Sequence, residues 1–205
     1  MVPTSTTDSE RLRTDELEPC ASWAHSSGWV QLSGERRTLT CVVSCRDQAR
    51  ALSKLLPILS DTLTECGYPW ELIAVNVGST DGTAKLLAAW AELPGFRELS
   101  LSHDAAQAGA FSAGSAHARG DAVILVDASL HCDRVLIPRM VMRWESGARM
   151  VVAVGDPESA ECLLDCWDGE EVRLMRAEGA LRFPTEAGGP ALLDRSLLQQ
   201  LLDTE

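Results

Sequence analysis

Apolar residues between Thr38 and Val154 follow two alternating rhythms. Short apolar runs at Thr38–Cys45, Glu71–Asn76, Phe96–Ser102, Asp121–Asp127 and Met150–Val154 read as buried strands. The stretches between them carry apolar residues at helical spacing. In Ala49–Gly67 these are Leu52, Leu55, Leu56, Leu59 and Leu63, with Pro57 set inside the period as a possible kink. In Asp81–Leu93 they are Leu86, Leu87, Trp90 and Leu93, and Pro94-Gly95 stops the helix. Asp104–Ala118 is a helix of small residues, suited to lying close to a sheet or a ligand. Val135–Glu145 is a fourth helix. Strand and helix in strict alternation predict an α/β fold, a mainly parallel, Rossmann-like sheet with helices on both faces.

The pattern weakens after Gly155, where acidic residues crowd together. Val172–Met175 and Ala180–Phe183 read as short strands, and Leu192–Leu202 as a terminal helix. Residues 1–35 are polar, with Trp23, Trp29 and Val30 as exceptions. They read as a disordered or loosely docked tail ahead of a domain over residues 36–205.

The stretch Glu71–Thr83 draws chemical interest first. An apolar strand breaks at Gly78, and a polar turn leads into a helix near Asp81, with Ser79 or Thr80 as the expected cap. Open α/β sheets hold ligands at such junctions, where helix amides meet phosphate or ribose.

The formal net charge of -12 excludes nucleic acid and anionic lipid as favoured partners. No apolar run is long enough to span a bilayer, and the acidic N-terminus is unlike a signal peptide, so the expected location is the cytoplasm. Cys41 and Cys45, on one strand, stand roughly 13 Å apart, too far for a disulfide. The seven cysteines read as reduced, structural thiols.

Several stretches carry a resemblance. Asn76-Val77-Gly78-Ser79-Thr80-Asp81-Gly82-Thr83 is similar to D-D-G-S-x-D-G-T, and Ala118–Leu130 to A-x-G-D-x-V-x-x-x-D-A-D-L. Leu136-Ile137-Pro138 and Leu192-Leu193-Asp194-Arg195 continue the series in order. The chain from about Thr38 to Arg195 thereby resembles the family 2 glycosyltransferases of GT-A fold, in the branch with dolichol-phosphate mannose synthase and the polyprenyl-phosphate sugar transferases. The resemblance implies a nucleotide-diphosphate sugar as partner and a divalent metal, Mg or Mn, whose charge neutralises the departing diphosphate. It makes Ser44, Asp47, Asn76, Gly78, Ser79, Asp81 and Ser129 the candidate donor-binding positions. Asp127 and His131 become the candidates for catalysis and metal binding.

The departures fall on the chemistry. The D-D pair is Asn76-Val77, and the D-x-D is Asp127-Ala128-Ser129. The motif after the first strand is Arg46-Asp47-Gln48, the lysine-bearing segment is His103–Gln107, and Gly189 stands where an acid is usual. The expected function is therefore a glycosyltransferase-like protein with lost or remodelled nucleotide-sugar transfer. The alternatives are an active transferase, a non-catalytic domain acting through a homo-oligomer or protein partner, and a repurposed enzyme. In the last case Asp127 and His131, with Asp133 or His103, would form an acid–base pair or hold zinc or manganese. Cys132 is a weaker candidate nucleophile, and His117 is expected to serve packing.

Overall fold

The computed structural model describes residues 37–129, 134–154, 163–167 and 189–203. Strands β1 (Leu39–Cys45), β2 (Trp70–Val77), β3 (Phe96–Leu101), β4 (Ala122–Asp127) and β5 (Met150–Val154) alternate with helices α1 (Ala49–Glu65), α2 (Thr83–Trp90), α3 (Gln107–Ala116) and α4 (Leu136–Glu145). Strands β6 (Leu163–Trp167) and β7 (Ala191–Asp194) and helix α5 (Arg195–Leu202) complete the order. The seven-stranded sheet runs β3-β2-β1-β4-β7-β5-β6. Strands β1 to β4 pair in parallel, whereas β7 is antiparallel to both β4 and β5, and β6 to β5. The mainly parallel α/β architecture is as expected, with an antiparallel flank that the alternation did not announce.

Two apolar cores cover the two faces. On one, Leu52, Leu56, Leu59 and Leu63 of α1 meet Leu87 of α2, Ile137 and Met140 of α4, and alternate strand residues such as Leu72 and Ile124. On the other, Phe111 of α3 and Leu197, Leu198 and Leu201 of α5 meet Ile73, Val75 and Leu125. Helix α1 runs on through Pro57. The small residues of α3 serve close approach to the sheet: a methyl added at Gly114 would come within 2.3 Å of Val42 Cγ1.

Two expectations are corrected, and one strand had gone unread. Ala191–Asp194 is a strand, not the first turn of a helix; Leu192 and Leu193 are fully buried between β4 and β5, and α5 starts only at Arg195. Leu193 stands four residues before Leu197 and eight before Leu201, at helical spacing, which is why periodicity carried the helix back over this segment. Strand β6 was missed, since its sequence LLDCW lies within an acidic stretch. His117 does not serve packing: it is exposed at the end of α3, where its Nδ1 lies 2.8 Å from the Ala113 carbonyl. The tail, Cys132 and the strands expected at Val172–Met175 and Ala180–Phe183 lie outside the described residues.

A polar network closes the N-terminal end of the parallel strands. Buried Glu71 accepts from the Thr40 hydroxyl (2.8 Å) and the Arg119 amide (2.6 Å), and pairs with Arg97 (3.4 Å). The Thr40 hydroxyl in turn accepts from the Gly120 amide at 2.8 Å. Asp121 accepts from the Thr38 amide at 2.7 Å. The Arg195 guanidinium donates to the carbonyls of Ala118 (3.0 Å) and Gly120 (2.9 Å). The residues of the A-x-G-D and L-L-D-R segments therefore hold the sheet together.

Asp194 caps α5, accepting from the Ser196 amide (2.9 Å) and hydroxyl (2.5 Å), while its other oxygen takes the Trp144 indole N–H at 3.0 Å. Partial burial pushes this carboxyl upward. The bonds from Ser196 and Trp144, with Arg149 nearby, outweigh it and hold the group below its ordinary value. A depressed carboxylate contributes stability that is present above the unfolded pKa and disappears as pH falls through the folded one. Asp194→Ala is thus expected to lower the melting temperature at neutral pH. The gap to the wild type should narrow once pH drops below about 4, as melting curves across pH will show.

Candidate functional site

At the opposite, C-terminal end of the parallel strands, two turns interlock. The turn after β1 places Asp47 at φ 51°, in the left-handed region, and aims its carboxylate at the turn after β2. Asp47 Oδ1 accepts from the Thr80 amide (2.6 Å), the Thr80 hydroxyl (3.1 Å) and the Asp81 amide (3.3 Å). In return the Asp47 amide donates to the Ser79 hydroxyl at 3.0 Å. The Thr80 amide above all holds the Asp47 carboxyl below its usual value.

Asp81 joins the first turns of two helices, accepting from the Ala49 amide at the start of α1 (3.1 Å) and from the Thr83 amide at the start of α2 (2.8 Å). Burial raises this carboxyl, but the bonds from Thr83 and Ala49 prevail and keep it low. The expected cap by Ser79 or Thr80 is absent because both side chains are turned toward Asp47. The Gln48 amide completes the stitching by donating to the buried Thr83 hydroxyl at 3.0 Å.

Gly78 has φ +55°, and a methyl there would come within 2.5 Å of the His103 Cα. This contact seats His103 beside the turn, where its ring meets the Arg46 guanidinium, with Nδ1 at 3.1 Å and Nε2 also in contact. His103 Nδ1 is also 3.9 Å from Asp104.

A cleft of about 190 Å³ opens here between Ser44, Cys45, Arg46, Gln48, Val77, Ala105, Asp127 and Ser129. Ser44 and Asp127 stand opposite one another on adjacent strands, and Asp127 Oδ1 accepts from the Ser129 amide at 2.7 Å. Gln48 and Ser129 also border a neighbouring groove of about 600 Å³ that carries Asp47, Asp81, Arg50 and Lys54 over Leu55 and Ile58. Cys45 borders the cleft, but its thiol donates to the Val75 carbonyl at 3.4 Å and is pushed up to about 12, chiefly by burial and then by Glu98, Asp81 and Asp127, which disfavours a thiolate at neutral pH. Cys41 and Cys45 are not bridged to one another, in keeping with their spacing.

Of the candidate positions, Ser44, Asp127 and Ser129 line the cleft, and Asp47 and Asp81 line the groove. Asn76, Gly78 and Ser79 shape the turn instead. Asn76 is buried, with its Oδ1 accepting from the Ser79 amide at 3.2 Å. His131, with Cys132 and Asp133, lies outside the described residues. Arg46 and Gln48 also line the cleft without having been singled out as candidates; their place immediately after a strand end was the available signal.

The D-x-D segment offers Asp127 as its one carboxylate, and buried Ala128 belongs to the core. Among the described residues no three His, Cys, Asp or Glu side chains are grouped to hold an ion. The described residues therefore do not form a carboxylate clamp for Mg or Mn. Among them, too, no helix is long and apolar enough to cross a membrane.

The profile described as glycosyl transferase family 2 matches residues 38–202. The chain belongs to that family. It is similar to an uncharacterized glycosyltransferase of Synechocystis sp., 27% identical over 165 residues, which covers 80% of this chain and 52% of that protein. It is also similar to the bactoprenol glucosyl transferase of Shigella phage SfX, 33% identical over 111 residues, covering 52% of this chain and 36% of the relative. Among solved structures, a mannosyltransferase from Pyrobaculum calidifontis in complex with GDP-Man and Mn²⁺ superposes with a TM-score of 0.52. It is 23% identical and covers 81% of this chain and 47% of that one. That likeness concerns the fold, which for this family 2 chain is the GT-A arrangement. The chain spans between about a third and a half of the relatives' own lengths.

Proposed function

We propose that this family 2 chain is a glycosyltransferase-like domain whose nucleotide-sugar transfer has been lost or remodelled. The observation that carries the proposal is the pair Asn76-Val77. The Asn76 side chain is used inside its own turn, and Val77 presents an aliphatic wall to the cleft where the family resemblance calls for a carboxylate. Transfer from a nucleotide-diphosphate sugar builds negative charge on the leaving group, which has to meet a metal or several cations. Against that demand the described cleft sets Arg46 and Asp127, one charge of each sign.

Isothermal titration and radiolabel transfer with UDP- and GDP-sugars, with and without Mn²⁺, test the proposal. The expected result is no manganese-dependent gain in binding and no sugar transfer. Strong manganese-stimulated transfer by the purified chain would overturn it.

A second reading, a remodelled enzyme that still uses Asp127 with His131, is supported by the position of Asp127 at a strand end inside the cleft. On that reading, turnover of some substrate disappears in Asp127→Asn while the melting temperature holds.

A further inference from the structure

Away from the cleft, the outward side of α4 combines two features. Among the described residues the large apolar side chains that stand exposed are Val135 and Met142, each 58% exposed. Single exposed apolar residues are ordinary. These two are seven residues apart on one helix, with Val135 at its cap position, so they share one stripe. Half-buried Pro138 and exposed Arg139 lie between them.

The stripe is also basic. Arg139 and Arg143 flank Met142, and Arg134 precedes it. The ion pairs among the described residues are Arg97–Glu71, His103–Asp104 and Arg134–Asp61, so Arg139 and Arg143 have no acid partner there. Glu145, the acid of α4, accepts from the Tyr68 hydroxyl. On a chain of net charge -12 such a strip favours an acidic occupant with large apolar side chains.

The chain ahead of Arg37 has that make-up. The segment Asp15–Leu32 carries Asp15, Glu16 and Glu18 and no Lys or Arg, followed by Trp23, Trp29, Val30 and Leu32. An indole meets both parts of the strip: a thioether packs against its ring, and a guanidinium lies over its face. Residues 156–161 bring acids but no aromatic ring. The point of attachment lies on the same helix. Arg37, the first described residue, holds its guanidinium 4.9 Å from the ring centroid of Trp144, near the C-terminal end of α4. Trp29 is eight residues ahead of Arg37, a reach of up to about 26 Å, whereas α4 from Trp144 back to Val135 measures about 14 Å. So short a tether gives an effective concentration near millimolar, which keeps closed a contact too weak for a separate peptide.

We propose that the N-terminal segment Asp15–Leu32 docks on the outward side of α4, with Trp23 or Trp29 against Met142 and the acids beside Arg139 and Arg143. The proposal is independent of whether sugar transfer survives.

The test is NMR and proteolysis on the full chain. With methyl-labelled methionine, the Met142 methyl is expected to show cross-peaks to indole protons and an upfield ring-current shift. Trp23→Ala or Trp29→Ala should remove both, and the variant that does so names the docked ring. Chymotrypsin cleavage after Trp23 and Trp29 should run about tenfold faster in the double variant Met142→Gln, Arg139→Glu than in the wild type. The melting temperature should hold, because both substituted side chains are exposed. Cleavage rates at about 1 µM and about 100 µM protein should agree, as an intrachain contact requires. The proposal falls if Met142 shows no indole contact, if neither Trp variant alters its signal, or if the double variant is cleaved no faster than the wild type. Protection that fades on dilution overturns it too, and assigns the stripe to a second copy of the chain.

Discussion

Gly120→Ala should destabilise the protein by about 3 kcal/mol or more, at the upper end of what overpacking costs. The added methyl would lie 2.5 Å from the Thr40 amide nitrogen and 2.7 Å from the Leu39 carbonyl carbon, which are strand backbone. Both belong to β1, fixed between β2 and β4, so neither can withdraw without parting the sheet. The same step also disturbs the Gly120 amide bond to the Thr40 hydroxyl. Urea unfolding will read the difference, and a fall in melting temperature of roughly 6–12 °C should accompany it. Gly109→Ala, on α3, is the control. A methyl there meets nothing within 4 Å, so it should stabilise the chain by up to about 1 kcal/mol through helix propensity.

Glu71→Ala is expected to have the other large effect, about 3–5 kcal/mol, the range for breaking a buried charged pair from one side. The Glu71 side chain is 9% exposed. Its removal strands the Thr40 hydroxyl and the Arg119 amide, and leaves Arg97 facing an empty site. Glu71→Gln keeps one acceptor oxygen for Thr40 and Arg119 and should lose clearly less. Chemical denaturation of the two variants beside the wild type measures the split. Equal losses would mean that the Arg97 pair, rather than the two hydrogen bonds, carries the interaction.

These two predictions concern residues inside or beside segments that resemble family motifs, and that explains what the sequence could and could not disclose. The five strands of the alternating region were legible as short apolar runs, since the central ones are buried on both faces, and the buried stripes of α1 and α2 were legible from their helical spacing. Gly120, Asp121, Asp194 and Arg195 carried the resemblance, and the structure sets them at the end of the sheet remote from the cleft. The departures, Val77 and Ser129, line the cleft itself. Part of the likeness thus sits at the end of the strands opposite those departures, while Asp127 matches the pattern at the cleft end. Asp81 and Thr83 matched the family pattern too, and they stitch helix starts together.

What escaped sequence reasoning had local causes. Strand β7 is four residues long and runs directly into α5, so its leucines blended into the helical period that follows. Strand β6 is pinned by backbone pairing to β5, and LLDCW does not alternate. The Asp47 carboxylate bridges to Thr80 across a separation of 33 residues, which no window over neighbouring positions can see.

The insertion of β7 between β4 and β5 sets an order of assembly. During synthesis, β1 to β4 and their helices emerge first and can zip together from contacts already available. One flank of β4 and one of β5 then wait, with unpaired amides and carbonyls, until Ala191–Asp194 leaves the ribosome. A stop codon or proteolytic nick upstream of Ala191 would leave both flanks open at once and make the chain prone to edge-to-edge aggregation.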